Sequence, residues 1–585
     1  MASSEDKVCQ NCQKQFTIDA SDFDFYEKMQ VPAPTWCPQC RMIRRFVWFN
    51  TRKLFRRAED REGKEIFSMY HKDSPVKIYE RDYWWSDDWD PMEYGKEYDF
   101  SRPFFEQFLE LFRTVPVPSR SVKDMVNSDY VNNCAGAKNS YLCFAGPLVE
   151  NSAYCVINNN VKEGFDLYES CHSQLCYDSY MVDEAFRVFF SVNCEDCSDI
   201  WFSRNMVGCS DCFGCINLRN KKYHIFNKEV SKEDYKKFMD EFKSGSFKTV
   251  AEMRKKAEDF WMRHPKRFAL AINSVDSTGE HIERTKNAKE CYSVHEAENV
   301  KFCQFIEDVS DSYDQTRVGF PSSQIYESVA VGFEADSVKF SVYALTSVNN
   351  LEYSFWSAGS SDLFGCTGLR KKKYCILNKQ YSKEEYYALR EKIIQHMNEM
   401  PYTDKVGRIY KYGEFFPQDF SPFAYNETMA QDFFPLTKEE VLAKGYEWRD
   451  EEDKDFKITK KANELPDEIK DVDESIVKEV IECSGCAKAY RIIPMELDFY
   501  KRIPLPLPRL CVECRFQRRF NFVNPPKFWE RKCQCAGTND DSGVYKNEVE
   551  HFHGQEHCPN EFKTAFASEK PDIVYCEECY KTETV

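Results

Sequence analysis

The sequence predicts a mainly β, multidomain fold: a central duplicated array resembling a β-solenoid, with helical excursions, flanked at each end by a small cysteine ribbon. Three observations predict it. A pair of CxxC knuckles near one end recurs near the other, a long middle segment repeats once, and aromatic residues return at short regular intervals inside each repeat. The chain has 585 residues, more than one ordinary core organises, so about three to five domains are expected. Its 47 Phe, 33 Tyr and 10 Trp supply ample core material.

The terminal ribbons come first. Cys9-Gln-Asn-Cys12 is followed by Cys37-Pro-Gln-Cys40, and Cys483-Ser-Gly-Cys486 by Cys511-Val-Glu-Cys514. A constant shift of 474 residues superposes the two sets, and with them Phe25-Tyr26 on Phe499-Tyr500 and Arg41, Arg44 and Arg45 on Arg515, Arg518 and Arg519. Prolines 32 and 34, matched by 506 and 508, stiffen the approach to each second knuckle.

The middle duplication has a shift of 151 residues. It lays Ser210–Tyr223 on Ser361–Tyr374 and continues into Ser231–Tyr235 and Ser382–Tyr386, each a capping-box helix start. Inside the first copy the aromatic series runs Tyr141, Tyr154, Tyr168, Tyr177, Phe189, Phe202 and Phe213. Inside the second it runs Tyr292, Phe302, Tyr313, Tyr326, Phe340, Tyr353 and Phe364. Short β-type triplets at those points, separated by Asn, Ser, Asp and Gly, suggest strands stacked rung on rung with aromatics and cysteines inward. A β-sandwich is the alternative.

These readings divide the chain as follows. An N-terminal ribbon spans 1–57, and a docking linker with a Trp-rich run spans 58–124. The first β-repeat spans 125–227, a helical segment 228–268, the second β-repeat 269–380 and a helix 381–400. An extended acidic linker spans 401–474, and the C-terminal ribbon spans 475–585.

Four cysteines in two CxxC knuckles give Zn²⁺ a closed tetrahedral thiolate shell, so two structural zinc ions are expected. Domains this small draw much of their stability from the metal. The C-terminal copy adds Cys533-Gln-Cys535 and Cys576-Glu-Glu-Cys579, where the N-terminal copy has Glu59 and Arg61 opposite the first pair. A third zinc on Cys533, Cys535, Cys576 and Cys579 is the expectation, with Cys558 or His553 as substitutes for one ligand. The CxxC pairs at 194–197, 209–212 and 212–215 are read as buried thiols, because the second repeat keeps only Cys215, as Cys366.

The segment from Trp36 to Arg57 holds seven basic residues and no acid. Arg41, Arg44, Arg45, Trp48, Arg52 and Lys53, with Arg515, Arg518 and Arg519, form a candidate surface for RNA or single-stranded DNA. Against this stands the net charge of −17, which offers the same arginines an acidic surface on their own chain. The run Tyr83–Asp90, with three tryptophans, reads as an anchor against a neighbouring domain. No GxSxG, Walker, GxGxxG or HExxH signature occurs, so no catalytic residue is assigned. No charged leader followed by an apolar stretch and no membrane-length apolar run occurs, so the expectation is cytoplasmic, without a membrane partner or a small-molecule cofactor.

On Cys9–Cys40, Arg102–Gln107, Phe213-Gly-Cys215 through Phe226-Asn227, Gly413–Pro417, Tyr425–Thr428 and Tyr575–Tyr580, the chain resembles an uncharacterised family of large zinc-ribbon proteins predicted from candidate-phylum, small-genome bacteria. The resemblance implies architecture and localisation but no activity. Trp48–Arg52 departs from it, where a more basic stretch is expected. The expected function is a non-enzymatic binding or scaffold protein contacting nucleic acid through its ribbons. The alternatives are an enzyme acting on a carbohydrate or other polymer, and a protein–protein scaffold without nucleic acid.

Overall fold

The computed structural model describes residues 3–318, 320–451, 456–537 and 545–584. It is mostly β with interspersed helices, and no described helix is long and apolar enough to cross a membrane. Two compact units emerge, and neither is contiguous. The first comprises Met1–Arg120, Ala269–Asp450 and Pro525–Lys527, and the second Ser121–Phe268, Glu451–Asn524 and Phe528–Val585. The N-terminal ribbon therefore shares a unit with the second β-repeat, and the C-terminal ribbon with the first.

Each unit is built on a 13-stranded ladder of almost entirely parallel strands. In the second unit the register advances by 12 residues per step: Val156 pairs with Tyr168, Tyr168 with Tyr180 and Tyr180 with Val192. A sandwich would pair antiparallel. In the first unit the step is also 12 in places, as for Tyr292 with Gln304, but it lengthens to 13 from Val309 with Ser322 to Val342 with Phe355.

The backbone closes each step through left-handed residues at every third position. Between Arg187 and Asn205 these are Arg187, Phe190, Asn193, Asp196, Asp199, Phe202 and Asn205. Each left-handed non-glycine residue costs roughly 1–2 kcal/mol, and Asn and Asp tolerate it best. Repetition offsets the cost. Asn193 donates its amide to Asn205 at 3.0 Å and Asn205 to Asn217 at 2.8 Å, so corner side chains form ladders of their own.

The interior of the ladder holds aliphatic side chains and thiols but no rings. Val131, Cys143, Cys155 and Leu167 fill one row, and Val149, Val161, Ala185, Cys197 and Cys209 another. The cysteines point inward as expected. Cys155 donates its thiol to the carbonyls of Ala153 and Gly164 at 3.5 and 3.3 Å, a task Ser140 performs with the carbonyls of Lys138 and Val149. Burial pushes the Cys176 thiol up to about 12, so it stays protonated and donates. The aromatics were expected inside and are not there. Tyr141, Ala153, Phe165, Tyr177, Phe189, Trp201 and Phe213 form one outer column in strict register, because a 12-residue turn encloses too little space for rings.

Outside each ladder lie helices and a ribbon. Helix Lys232–Glu241, capped by Ser231, lays Phe238 and Phe242 against Phe213 at 4.9 and 5.0 Å. In the first unit Trp84 is fully buried, donates to the Pro116 carbonyl and meets Trp356, so the Trp-rich run is an anchor. The expected linker over 401–474 needs correction. Tyr410, Phe415, Phe416 and Tyr425 are buried in the first unit's core, where Phe416 stacks on Phe108 at 4.8 Å.

Candidate metal centres

The two ribbons fold alike, from the same local chemistry. In the first, strands Glu5–Val8 and Gln15–Ile18 pair antiparallel around the knuckle. Cys9 accepts from Gln13, whose φ is +60°, and donates to Lys14. In the second, Cys483 accepts from Ala487, at φ +59°, and donates to Lys488. The second knuckle of each opens a helix, with Cys37 capping Pro38–Phe46 and Cys511 capping Val512–Phe520. Cys9, Cys12, Cys37 and Cys40 bring their sulfurs within 4.8 Å of one another, as do Cys483, Cys486, Cys511 and Cys514. These four-cysteine groups can hold zinc.

Backbone N–H groups already point at the sulfurs. Cys511 donates to the Cys483 sulfur at 3.1 Å and Gly485 at 3.4 Å. Burial pushes the Cys483 thiol up, but these donors prevail and bring it down to about 7. Its neighbour Cys511 goes the other way, up to about 11, through burial and the proximity of Cys483. Such a group accommodates all four thiolates only when a cation compensates their charge.

The helix of each second knuckle carries the basic run, and its arginines face the ladder of their own unit. Arg41 meets Asp314 at 2.8 Å and Glu327 at 3.4 Å, Arg44 meets Glu327 and Glu414, and Arg45 meets Asp314 at 2.9 Å. In the other unit Arg515 meets Asp166 and Glu496, Arg519 meets Asp166 and Asp178 at 3.0 Å each, and Arg518 meets Asp178 at 2.5 Å. Asp166 and Asp178 sit one rung apart at left-handed corners, and so do Asp314 and Glu327. Rings seal both docks. Phe25 stacks on Tyr313 at 3.8 Å, and its counterpart Phe499 on Phe165 at 4.3 Å.

This corrects the expected nucleic-acid surface. Arg41, Arg44, Arg45, Trp48, Arg515 and Arg519 are each at most 3% exposed, and a guanidinium already paired with buried carboxylates offers nothing to a phosphate. Arg52 pairs with Asp432 at 2.9 Å, Lys53 is half-buried, and Arg518 is one-third exposed but committed to Asp178. The alternative weighed from the net charge, docking on the chain's own acids, is the observed arrangement.

The C-terminal copy elaborates a hairpin that the N-terminal copy keeps plain. Strands Phe55–Ala58 and Glu65–Ser68 close around Glu59, which donates to Lys64 and accepts from Gly63. The equivalent strands, Trp529–Lys532 and Glu561–Thr564, still pair antiparallel but are separated in sequence by an insertion beginning at Cys533, whose N–H reaches the Asn560 carbonyl. In the plain copy the Glu59 carboxylate accepts from the Glu80 N–H, and the Glu80 carboxylate caps the helix Arg81–Trp85. In the elaborated copy the Cys533 sulfur accepts from Cys576 at 3.1 Å, and the Cys576 sulfur from Cys579 at 3.5 Å. Carboxylates thus stand where the other copy has sulfur.

The inserted residues regroup the expected third site. Cys533, Cys535, Cys576 and Cys579 do not form one tetrad. Cys533, Cys576 and Cys579 group with Cys558, while Cys535 groups with His551, His553 and Cys579. Sequence reasoning offered Cys558 and His553 as substitutes and left out His551, whose signal was its crowding with His553 and His557. Hydrogen bonding from Cys579 brings Cys533 down to about 6 and Cys535 to about 5, against their burial. Among the described residues no ladder cysteine joins a potential metal group.

No family model matches the chain, and no curated protein matches it. The four-cysteine groups are compatible with zinc ribbons, and the wider family resemblance receives no support from these comparisons.

Proposed function

We propose that the protein is a zinc-stabilised, non-enzymatic scaffold. Each parallel ladder is a β-solenoid of 12- to 13-residue turns, and a zinc ribbon covers part of its outer face. The observation that carries this reading is the repeated arginine–carboxylate dock, which commits the ribbons' basic faces to their own ladders. The remaining faces and edges are left to partners, and protein is favoured over nucleic acid because the strongest basic run is spent internally.

An enzyme acting on a polymer is less well supported. A groove of about 470 Å³ in the first unit has Asp19, Asp24 and Asp311 in its lining. Asp19 pairs with Lys301 at 2.7 Å and Asp311 with Lys28 at 2.9 Å. A general acid and base need freer carboxylates than these.

Fluorescence anisotropy with labelled single-stranded RNA and DNA at low salt separates the readings. The scaffold reading expects no saturable binding by the intact protein, and expects Arg44→Glu with Arg45→Glu to lower thermal stability. Saturable binding that those substitutions abolish, at unchanged stability, would overturn it.

A further inference from the structure

In the C-terminal copy five donor residues of the insertion and two that follow it, Cys576 and Cys579, gather into two groups that share the Cys579 sulfur. We propose that Cys579 is a bridging thiolate between two zinc ions. One ion is held by Cys533, Cys558, Cys576 and Cys579, and the other by Cys535, His551, His553 and Cys579. The chain then carries four zinc ions, two of them in a dinuclear centre.

Geometry supports both shells. Within each set the ligand atoms all lie within 4.8 Å of one another, and Cys579 belongs to both. A tetrahedral ion with Zn–S bonds of about 2.3 Å separates its sulfurs by about 3.8 Å. The Cys558 and Cys576 sulfurs are 3.8 Å apart. In the other set the Cys535 sulfur is 3.3 Å from His551 Nδ1, and the Cys579 sulfur is 3.4 Å from His553 Nε2.

Counting donors decides between one ion and two. Two tetrahedral shells sharing one corner use seven donors, the number present. A single ion would take four and strand three, among them residues as buried as Cys535 and His551. Charge agrees. Five thiolates and two neutral imidazoles around two dications leave only one net negative charge.

The outer hydrogen bonds assign each histidine its ligating nitrogen. His551 Nε2 lies 3.1 Å from the Glu583 carboxylate, with both side chains fully buried, which leaves Nδ1 for metal. His553 Nδ1 donates to the Glu556 carbonyl at 2.6 Å, which leaves Nε2. Both are the partnerships that zinc-bound imidazoles keep. Asn547 donates to the Cys535 sulfur at 3.0 Å and Asn560 to the Cys576 sulfur at 3.4 Å, so each shell has its own amide support. Protein donors fill every coordination position, which makes the centre structural. Its last helix also carries Tyr580, whose hydroxyl meets Asn205 and Asn217 of the corner ladder. The centre thereby fixes the end of the chain to the β-array of its own unit.

Native mass spectrometry of the full chain, with zinc X-ray absorption on the same sample, tests the proposal. The expected result is four zinc ions and a Zn–Zn vector at about 3.5–4 Å. His551→Ala should leave three ions and abolish the vector, and Cys579→Ser should leave two. Cys12→Ser, which opens only the N-terminal ribbon, should remove one ion and keep the vector, so a failed ribbon and a failed dinuclear centre give different results. Three zinc ions in the wild type without a Zn–Zn vector, or a Cys579→Ser chain that keeps three, would overturn it.

Discussion

At the scale of single residues, the ribbon docks rest on a few buried charges. Asp178 is 4% exposed and receives Arg518, Arg519 and Arg254. Burial alone would push its carboxyl up, but the three guanidiniums prevail and hold it well below the usual carboxylate range. A depressed folded-state value gives stability that is fully present above the unfolded value, near 3.8, and is lost as pH falls through the folded one. Asp178→Asn should therefore cost about 3–5 kcal/mol at neutral pH, because it strands arginines in a buried site. Denaturant titrations at pH 7 and pH 3 should show the penalty shrinking in acid. A penalty independent of pH would separate it from charge. Such residues were partly legible beforehand. The arginines stood out as an acid-free run, but their partners are single acids in turns, a place where acids are common.

At the scale of elements, the cysteine spacing revealed the ribbons because tetrahedral coordination fixes it within narrow limits. The ladder was harder to read. Its period is 12 residues, but conspicuous rings are drawn from neighbouring columns: Phe165 and Tyr177 share one column, Tyr168 belongs to another, and Tyr154 occupies a left-handed corner. Mixing columns blurs one period into a spread of nine to fourteen. The expected inward rings failed for a related reason, since a ring marks the outer face and the core takes Val, Leu, Ile, Ala and Cys. The supposed linker over 401–474 was read from the acid-rich tail of that stretch, although Gly413–Pro417 already carried the aromatic signal of a core. Zinc should couple to this packing. Cys511 starts the helix that lays Phe516 and Phe520 against Tyr168. Cys511→Ser should lose one zinc, lower the melting temperature of the second unit alone and increase binding of an apolar dye, because the bare column reaches water. Unchanged dye binding with one zinc lost would show the dock to be independent of the metal.

At the scale of the whole molecule, two repeats of ribbon and ladder are present, but each unit joins a ribbon to the ladder remote from it in sequence. The 474-residue shift shows that the ribbons are alike and cannot say which ladder each covers. That choice lies in tertiary complementarity, in corner acids such as Asp314 and Asp166. A chain ending at residue 450 should retain all of the first unit except Pro525–Lys527 while leaving Ser121–Phe268 uncovered. It should be less soluble than the full chain, and co-expression of residues 451–585 should restore solubility. A soluble, monodisperse truncation with the first ladder folded would show that this ladder needs no cover.

The same interleaving imposes a schedule on the ribosome. The segment Ser121–Phe268 emerges early, but the helix that covers Tyr168 is not translated until Val512–Phe520. At roughly 5–20 residues per second, the wait is on the order of tens of seconds. Throughout that interval a nascent chain displays Phe165 and Tyr168 without the rings that cover them, and Asp166 without Arg515 and Arg519. Zinc loading of the last ribbon can complete the second unit only after nearly everything else has been made. The sequence order of the modules thus makes the cell's handling of half-made chains part of how this protein reaches its native state.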